Sequence, residues 1–427
     1  MKSVCSGADA KTAVYAESVG ALPIRGLRTQ AHHVQVPLDH SQPASGTIRV
    51  FLREVADPTA PDRPALLFLQ GGPGFESPRP TLKNPAWLPS ALKYFRVFFL
   101  DQRGTGLSDP ITRRDARDPD DLANRLVHYR ADAIVDDAEY IRGVLGIERW
   151  SLLGQSFGGF VALNYLSRYP ESLQEVLFAG GLPPVGHTVD EIYGLTHQVM
   201  RHKSRVFFNR FPDSVDRFQR ALAACRTGKV LLPNGELLSP NRLRSIGHLL
   251  GTSSGEQIHY LLEHDPHSPA FSHDVASMLP FRGRNPLYAV LHEACYADGG
   301  QTNWSAARTL PTQPEPGSPV LTGEHLFPWH FQEDHGLIPF REVAELVAAI
   351  DWPRLYDVQA LRTTTVPCAA AIYGDDPFVL RQYSEETAAL IPGMRTWGTN
   401  EYEHSGLRTS GTRVFDRLLA LARDLTD

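Results

Sequence analysis

Ser156 lies in Gly154-Gln155-Ser156-Phe157-Gly158-Gly159, a setting that can make a hydroxyl reactive. A serine hydroxyl is a weak nucleophile at neutral pH. It works when a base takes its proton and a third group fixes the tautomer of that base. Downstream the chain carries both partner types in the order acid, then histidine: the pair Asp375-Asp376 and the single His404. Trp150-Ser151-Leu152-Leu153 before the serine reads as a short strand, and Phe160-Val161-Ala162-Leu163 after it opens a helix. Strand, sharp turn and helix are the context in which G-x-S-x-G forms a nucleophile elbow. Gly154 and Gly158 let neighbouring backbone pass close, and Ser156 is expected at a strained backbone position. At the head of a helix, the backbone N–H groups and the dipole favour a developing negative charge.

The two adjacent aspartates follow the apolar run Cys368-Ala369-Ala370-Ala371-Ile372-Tyr373. Neighbouring side chains in an extended segment point opposite ways, so only one can face His404. Asp376 is the first choice and Asp375 the alternative. An oxyanion needs backbone N–H donors aimed at it. One is expected from Phe157, the residue after the nucleophile. The other is expected from the turn Gln70-Gly71-Gly72-Pro73-Gly74, with Gly72 preferred and Gly71 second.

These loops need a frame. His32–Pro37 and Thr47–Leu52 read as the strands of a hairpin joined through His40-Ser41-Gln42-Pro43. Pro64–Leu69 and Tyr94–Leu100 are unbroken apolar strands, of the kind found in sheets covered on both faces. The first runs into the glycine turn and the second into Asp101-Gln102-Arg103-Gly104. A helical stretch begins at Ala131, and another strand ends at Ala179. Strand and helix alternating in this way predict an α/β fold with a doubly wound, mostly parallel sheet. From about Val185 to Pro353 the periodicity is mainly helical, as in Val215–Leu222 and around Leu291–Tyr296, and this stretch is expected to be an inserted cap. A loop is expected inside it at Pro311–Pro316. The sheet resumes at Val366 and a last helix covers Thr412–Leu419. The expected division is therefore 1–29 weakly structured, 30–184 and 354–427 as the two parts of the sheet domain, and 185–353 as the cap.

Composition narrows the function classes. The 427 residues are 42% hydrophobic with a formal net charge of −6, enough for a large core and no electrostatic case for binding nucleic acid. No stretch approaches the roughly eighteen consecutive apolar residues of a membrane span. The first residues lack the apolar core of a signal peptide. Cys5, Cys225, Cys295 and Cys368 show no paired spacing, so a reducing cytoplasm is expected. His264, His267 and His273 form a loose group without a metal-ligand pattern. No cofactor and no metal are expected.

Four segments together resemble the proline iminopeptidases of the α/β-hydrolase superfamily. They are Gly71-Gly72-Pro73-Gly74, Asp101-Gln102-Arg103-Gly104-Thr105-Gly106-Leu107-Ser108, Gly154-Gln155-Ser156-Phe157-Gly158-Gly159 and Glu403-His404-Ser405-Gly406-Leu407-Arg408. The likeness runs the length of the chain, and that length is similar to the longer bacterial branch. It implies a serine aminopeptidase acting on short peptides with an N-terminal proline, the free amino group being held by cap carboxylates. Glu293 and Glu324 stand at the resembling positions. A buried ammonium needs such paired negative charge. Phe327 and Trp329 wall the proline pocket or belong to the cap core. The shorter relatives carry an Arg-Gly pair after the strand that follows the nucleophile helix. Here Ala179-Gly180-Gly181-Leu182 stands instead, so that arginine's role is absent or supplied elsewhere. A carboxylesterase, an aminopeptidase of other specificity and a non-catalytic binding protein are the alternatives.

Overall fold

Nine strands pair into one sheet in a computed structural model that describes residues 17–19, 24–252, 255–311 and 319–425. They are β1 (Glu17–Val19), β2 (Arg28–Pro37), β3 (Thr47–Ala56), β4 (Ala65–Leu69), β5 (Arg96–Asp101), β6 (Trp150–Gln155), β7 (Leu173–Ala179), β8 (Cys368–Tyr373) and β9 (Arg395–Thr399). Their spatial order is β1-β2-β3-β5-β4-β6-β7-β8-β9. The pairings of β1, β2, β3 and β5 are antiparallel, and every pairing from β5 onward to β9 is parallel.

The unbroken apolar strands are buried because both faces are covered. Successive residues of one strand enter opposite layers. Leu67, Leu69, Phe98, Leu100 and Leu152 join a layer with the helices Ala131–Val144 and Phe157–Arg168. Leu66, Phe68, Val97, Phe99 and Leu153 join a second layer with Trp87 and the last helix, Arg413–Ala422. At roughly 25 cal/mol per Å² of apolar surface removed from water, these two layers are the main stabilising term of the fold.

The N-terminal boundary shifts from the expected one. Most of 1–29 lies outside the described residues, but Glu17–Val19 is an edge strand and β2 already begins at Arg28. Strand β9 has no counterpart in the expected elements. Arg395, Thr396 and Gly398 are exposed and Trp397 is its one apolar residue, so its pattern is too polar to read as a strand.

Between β7 and β8 the described residues add no strand to the sheet. The long helix Val189–Arg210 starts with a capping box, Thr188 with Glu191, which satisfies two N-terminal amides reciprocally. Phe207 and Phe208 on it, with Phe218, Leu222, Leu250 and Phe271, form a core of their own. The rest of the insert does not stand apart. Phe281, Leu287, Tyr296, Phe331, Phe340 and Val343 belong to the same cluster as the sheet layer. The stretch around Leu291–Tyr296 is a short helix, Pro286–Val290, followed by a 3-10 turn, Glu293–Tyr296. The loop expected at 311–316 lies outside the described residues apart from Pro311. No helix among the described residues is long and apolar enough to cross a membrane.

Candidate active site

Strand β6 delivers the chain to Ser156, which has φ +56° and ψ −130°. That is left-handed territory that a serine adopts only when its surroundings enforce it. The enforcement is close packing. A Cβ at Gly158 would stand 1.9 Å from the Leu69 carbonyl oxygen, and one at Gly154 would stand 2.5 Å from the Gly158 oxygen. The helix Phe157–Arg168 can therefore start directly under the serine.

Three side chains meet here. His404 Nε2 lies 2.8 Å from Ser156 Oγ, and its Nδ1 lies 2.7 Å from Asp376 Oδ2. Asp376 is buried, and its Oδ1 accepts from the amides of Phe378 at 2.9 Å and Val379 at 3.1 Å. With both oxygens committed, the carboxylate cannot rotate away. Asp375 is exposed, whereas Asp376 is buried and bonded to the histidine, so the geometry separates the two aspartates. Burial lowers the proton affinity of His404. The Asp376 carboxylate, through charge and hydrogen bond, and Glu324 through charge outweigh this and hold it above the ordinary histidine value.

The glycine turn reaches the serine through Gly71. A Cβ there would lie 2.9 Å from Ser156 Cβ and 3.4 Å from its Oγ, whereas one at Gly72 would meet Gly74 and Phe75. Gly71 is thus the glycine of the turn that lies against the nucleophile. Gln102 holds the turn by donating from Nε2 to the Gln70 carbonyl at 2.8 Å. Arg103, one residue on, points elsewhere. It forms a buried pair with Asp137 and donates to the carbonyls of Pro37, Leu38 and His128. Its position tying the hairpin to the helix Ala131–Val144 makes it a structural staple.

The structure divides the two cap carboxylates. Glu324 is half-buried at the site, hydrogen-bonded by Tyr288 and within electrostatic range of His404, Asp376 and Arg408. Burial pushes its carboxyl upward. Glu293 is tied to the backbone instead. Its two oxygens accept from the amides of Ser305 at 3.0 Å and Ala306 at 2.9 Å, the start of the short helix Ser305–Arg308. Burial pushes its carboxyl up to about 7. Glu293, expected to bind substrate, thus has both oxygens engaged by the amides that open a helix.

Phe327 and Trp329 stack on each other at 5.8 Å and both stack on His330, so they pack within the insert. Tyr288 bonds Glu324 and meets the Phe75 ring at a centroid distance of 4.9 Å, and Tyr296 and Tyr193 also lie within electrostatic range of Glu324. Sequence reasoning did not single out Tyr288 or Arg408. Arg408 donates from Nε to Gln155 Oε1 at 3.2 Å and sits within electrostatic range of Glu324 and His404. Its place four residues after His404 was the available signal. At the position of the missing Arg-Gly pair there is no room for a side chain. A Cβ on Gly181 would stand 2.6 Å from the Ser156 carbonyl oxygen. Among the described residues no group of three or more His, Cys, Asp or Glu side chains is arranged to hold a metal ion.

A mostly parallel sheet, a strained serine at its elbow and a histidine–aspartate pair within reach define a serine hydrolase of the α/β-hydrolase class. The α/β hydrolase family description matches residues 64–229. A proline iminopeptidase of Aeromonas sobria is 43% identical over 416 residues, covering 93% of this chain and 97% of that one. The proline iminopeptidase aneH of Aspergillus aculeatus is 33% identical, covering 94% and 95%. The crystal structure of a proline iminopeptidase from Mycobacterium smegmatis superposes with a TM-score of 0.44 at 16% identity, covering 92% of this chain and 98% of that one. The chain belongs to the proline iminopeptidase family.

Proposed function

We propose that this chain is a serine aminopeptidase that releases N-terminal proline from peptides, with Ser156, His404 and Asp376 as its catalytic residues. The observation that carries this reading is the Glu324 carboxylate beside the hydrogen-bonded series Ser156–His404–Asp376. Ser156 Oγ attacks the prolyl carbonyl while His404 Nε2 takes its proton. Asp376 keeps the other ring nitrogen protonated and stabilises the imidazolium. The amide of Phe157 and the Gly71–Gly72 peptide hold the oxyanion; such a donor is worth about 3–4 kcal/mol in comparable sites. His404 then gives the proton to the leaving amine. A water, deprotonated by His404, attacks the prolyl ester and frees both proline and Ser156.

Specificity follows from charge in a poorly hydrated place. Glu324 offers the substrate's ammonium a negative partner, and Phe75 and Tyr288 offer the pyrrolidine ring an apolar wall. A blocked N-terminus forfeits the first. The free, buried thiols Cys225, Cys295 and Cys368 support a cytoplasmic setting.

The test is a substrate panel with the purified protein. Prolyl-naphthylamide should be cleaved well, other aminoacyl-naphthylamides poorly and N-acyl-prolyl-naphthylamide hardly at all. Ser156→Ala should remove turnover on all of them. Turnover within tenfold of the parent in that variant sinks the serine mechanism. Equal rates on free and blocked proline sink the aminopeptidase reading.

A further inference from the structure

His404 lies in a loop that is held from two sides. The loop runs from β9, a half-exposed edge strand, to the short helix Gly406–Thr409. On one side Tyr402 and Leu407 pack with Tyr373 of the sheet; on the other the loop touches the insert. The His404 backbone N–H donates to the Gly251 carbonyl at 2.7 Å, and Ser405 Oγ donates to the Thr252 carbonyl at 3.1 Å. Glu403, just before the histidine, forms an ion pair and hydrogen bond with Lys203 Nζ of the long helix Val189–Arg210. Gly251 also lies against the loop of the acid. A Cβ there would stand 2.4 Å from the Phe378 ring and 2.7 Å from Pro377 Cγ, and the Phe378 amide is one of those that fix Asp376. Gly251 is thus the point at which the insert meets both the acid's loop and the histidine's loop.

The anchors are rigid on the insert's side. Phe207, one helical turn after Lys203, and Leu250, just before Gly251, belong to the insert's separate core. The Lys203 side chain is 10% exposed and that of Glu403 29%, at the wall of an open cleft of about 840 Å³ that also includes Asp375 and Asp376. Burial and the two aspartates disfavour charge on Glu403, and Lys203 opposes them. Without Lys203 that carboxylate would repel its acidic neighbours and the loop would lose its tie.

We infer that the insert sets the position of His404, with Lys203, Gly251 and Glu403 as positioning residues, so that the insert's own core is coupled to proton transfer at Ser156. This rests on the Ser156–His404–Asp376 reading above. Reactive geometry is unforgiving: a misplacement of about 1 Å costs on the order of a hundredfold in rate. The distinctive consequence is that a lesion at these positions in the insert acts on kcat rather than KM. It acts equally on every substrate that uses His404.

Lys203→Met and Glu403→Gln, each with the melting temperature recorded, test this on prolyl-naphthylamide and on nitrophenyl acetate. The expected result is a tenfold to hundredfold fall in kcat, the same on both substrates within about threefold, with KM within about twofold of the parent. The exchange Lys203→Glu with Glu403→Lys should recover most of the lost kcat by re-forming the pair in reverse. Parent-like kcat in both single variants overturns the inference. So does a loss confined to the prolyl substrate through KM, which would assign the pair to substrate binding. So does an exchange that restores the melting temperature but not the rate, which would make the pair structural only. If Lys203→Met fails to fold, Lys203→Gln and Glu403→Gln carry the same test. Ser156→Ala separates the two levels. Turnover in that variant removes the triad reading and the coupling with it, whereas a dead Ser156→Ala beside a fully active Lys203→Met removes the coupling alone.

Discussion

The turn that carries Glu293 and the turn that carries Glu324 are neighbours, joined by the His292 ring at the Glu324 carbonyl, yet their carboxylates are spent differently. Both carboxyls are shielded from water, and burial raises the proton affinity of both. Glu293 closes the start of a short helix, each oxygen taken by a backbone amide, beside Thr302 and Trp304. Glu324 meets the Tyr288 hydroxyl and looks across at His404 and Arg408. A perturbed acid is therefore a poor guide to a site by itself. Unspent hydrogen-bonding capacity, aimed at other reactive groups, separates the carboxylate proposed to bind substrate from the one that closes a helix.

The largest expected effect sharpens this contrast. Glu324→Gln removes the charge that meets the substrate ammonium, which should cost about 2–5 kcal/mol, or roughly thirtyfold to several thousandfold in kcat/KM on prolyl-naphthylamide. On nitrophenyl acetate the loss should stay within about threefold, because that substrate has no ammonium to hold. Equal losses on both would place Glu324 with the fold-supporting residues and erase the comparison.

The pH dependence comes next. Activity needs His404 neutral, and its proton affinity is raised, so the rate should fall as pH drops through a value above the ordinary histidine pKa of about 6.5. Glu324, also raised, must be ionised to bind the prolyl ammonium. The acid limb of kcat/KM should therefore be steeper for prolyl-naphthylamide than for the neutral ester. Superimposable limbs would argue that Glu324 takes no part in binding.

Glu293→Gln should show the opposite signature. Its amide NH₂ would face one of the two helix N–H donors, and an unsatisfied buried group costs about 1–3 kcal/mol. The melting temperature should drop by several degrees while kcat/KM on the prolyl substrate stays within about threefold of the parent. A large and selective loss of prolyl activity would restore Glu293 as a binding group. Smallest of all, the double variant of both glutamates should show a stability change within about 0.5 kcal/mol of the sum of the singles, because their hydrogen-bond partners differ, Ser305 and Ala306 for Glu293 and Tyr288 for Glu324. A strong departure from additivity would mean the two turns are coupled.

The elbow was readable because its constraints are local. Gly154, Gly158 and the flanking apolar runs specify a strand, a sharp turn and a helix within a few residues, and the serine needs nothing distant to be raised. The parallel sheet was readable for the same reason, since strands covered on both faces must be apolar throughout. Strand β9 was not, because a half-exposed edge strand has no such requirement. The acid pair could be narrowed to two residues but not to one. Alternation says that Asp375 and Asp376 diverge, and only the packed loop decides which of them turns inward.

Chain order, residue type and local turn chemistry thus determined the hydrolase class and picked out Ser156 and His404, which the fold brings within 2.8 Å of each other. Tertiary structure alone decided that Gly71 rather than Gly72 lies against the nucleophile. It also decided that Glu293 closes a helix while Glu324 faces the histidine, that Arg408 and Tyr288 join the site, and that Gly251 and Lys203 reach the histidine's loop from the insert. Each of these is a meeting between segments far apart in the chain. A residue's own sequence neighbourhood fixes its backbone, but the partners that spend or spare its hydrogen bonds arrive only when the core closes.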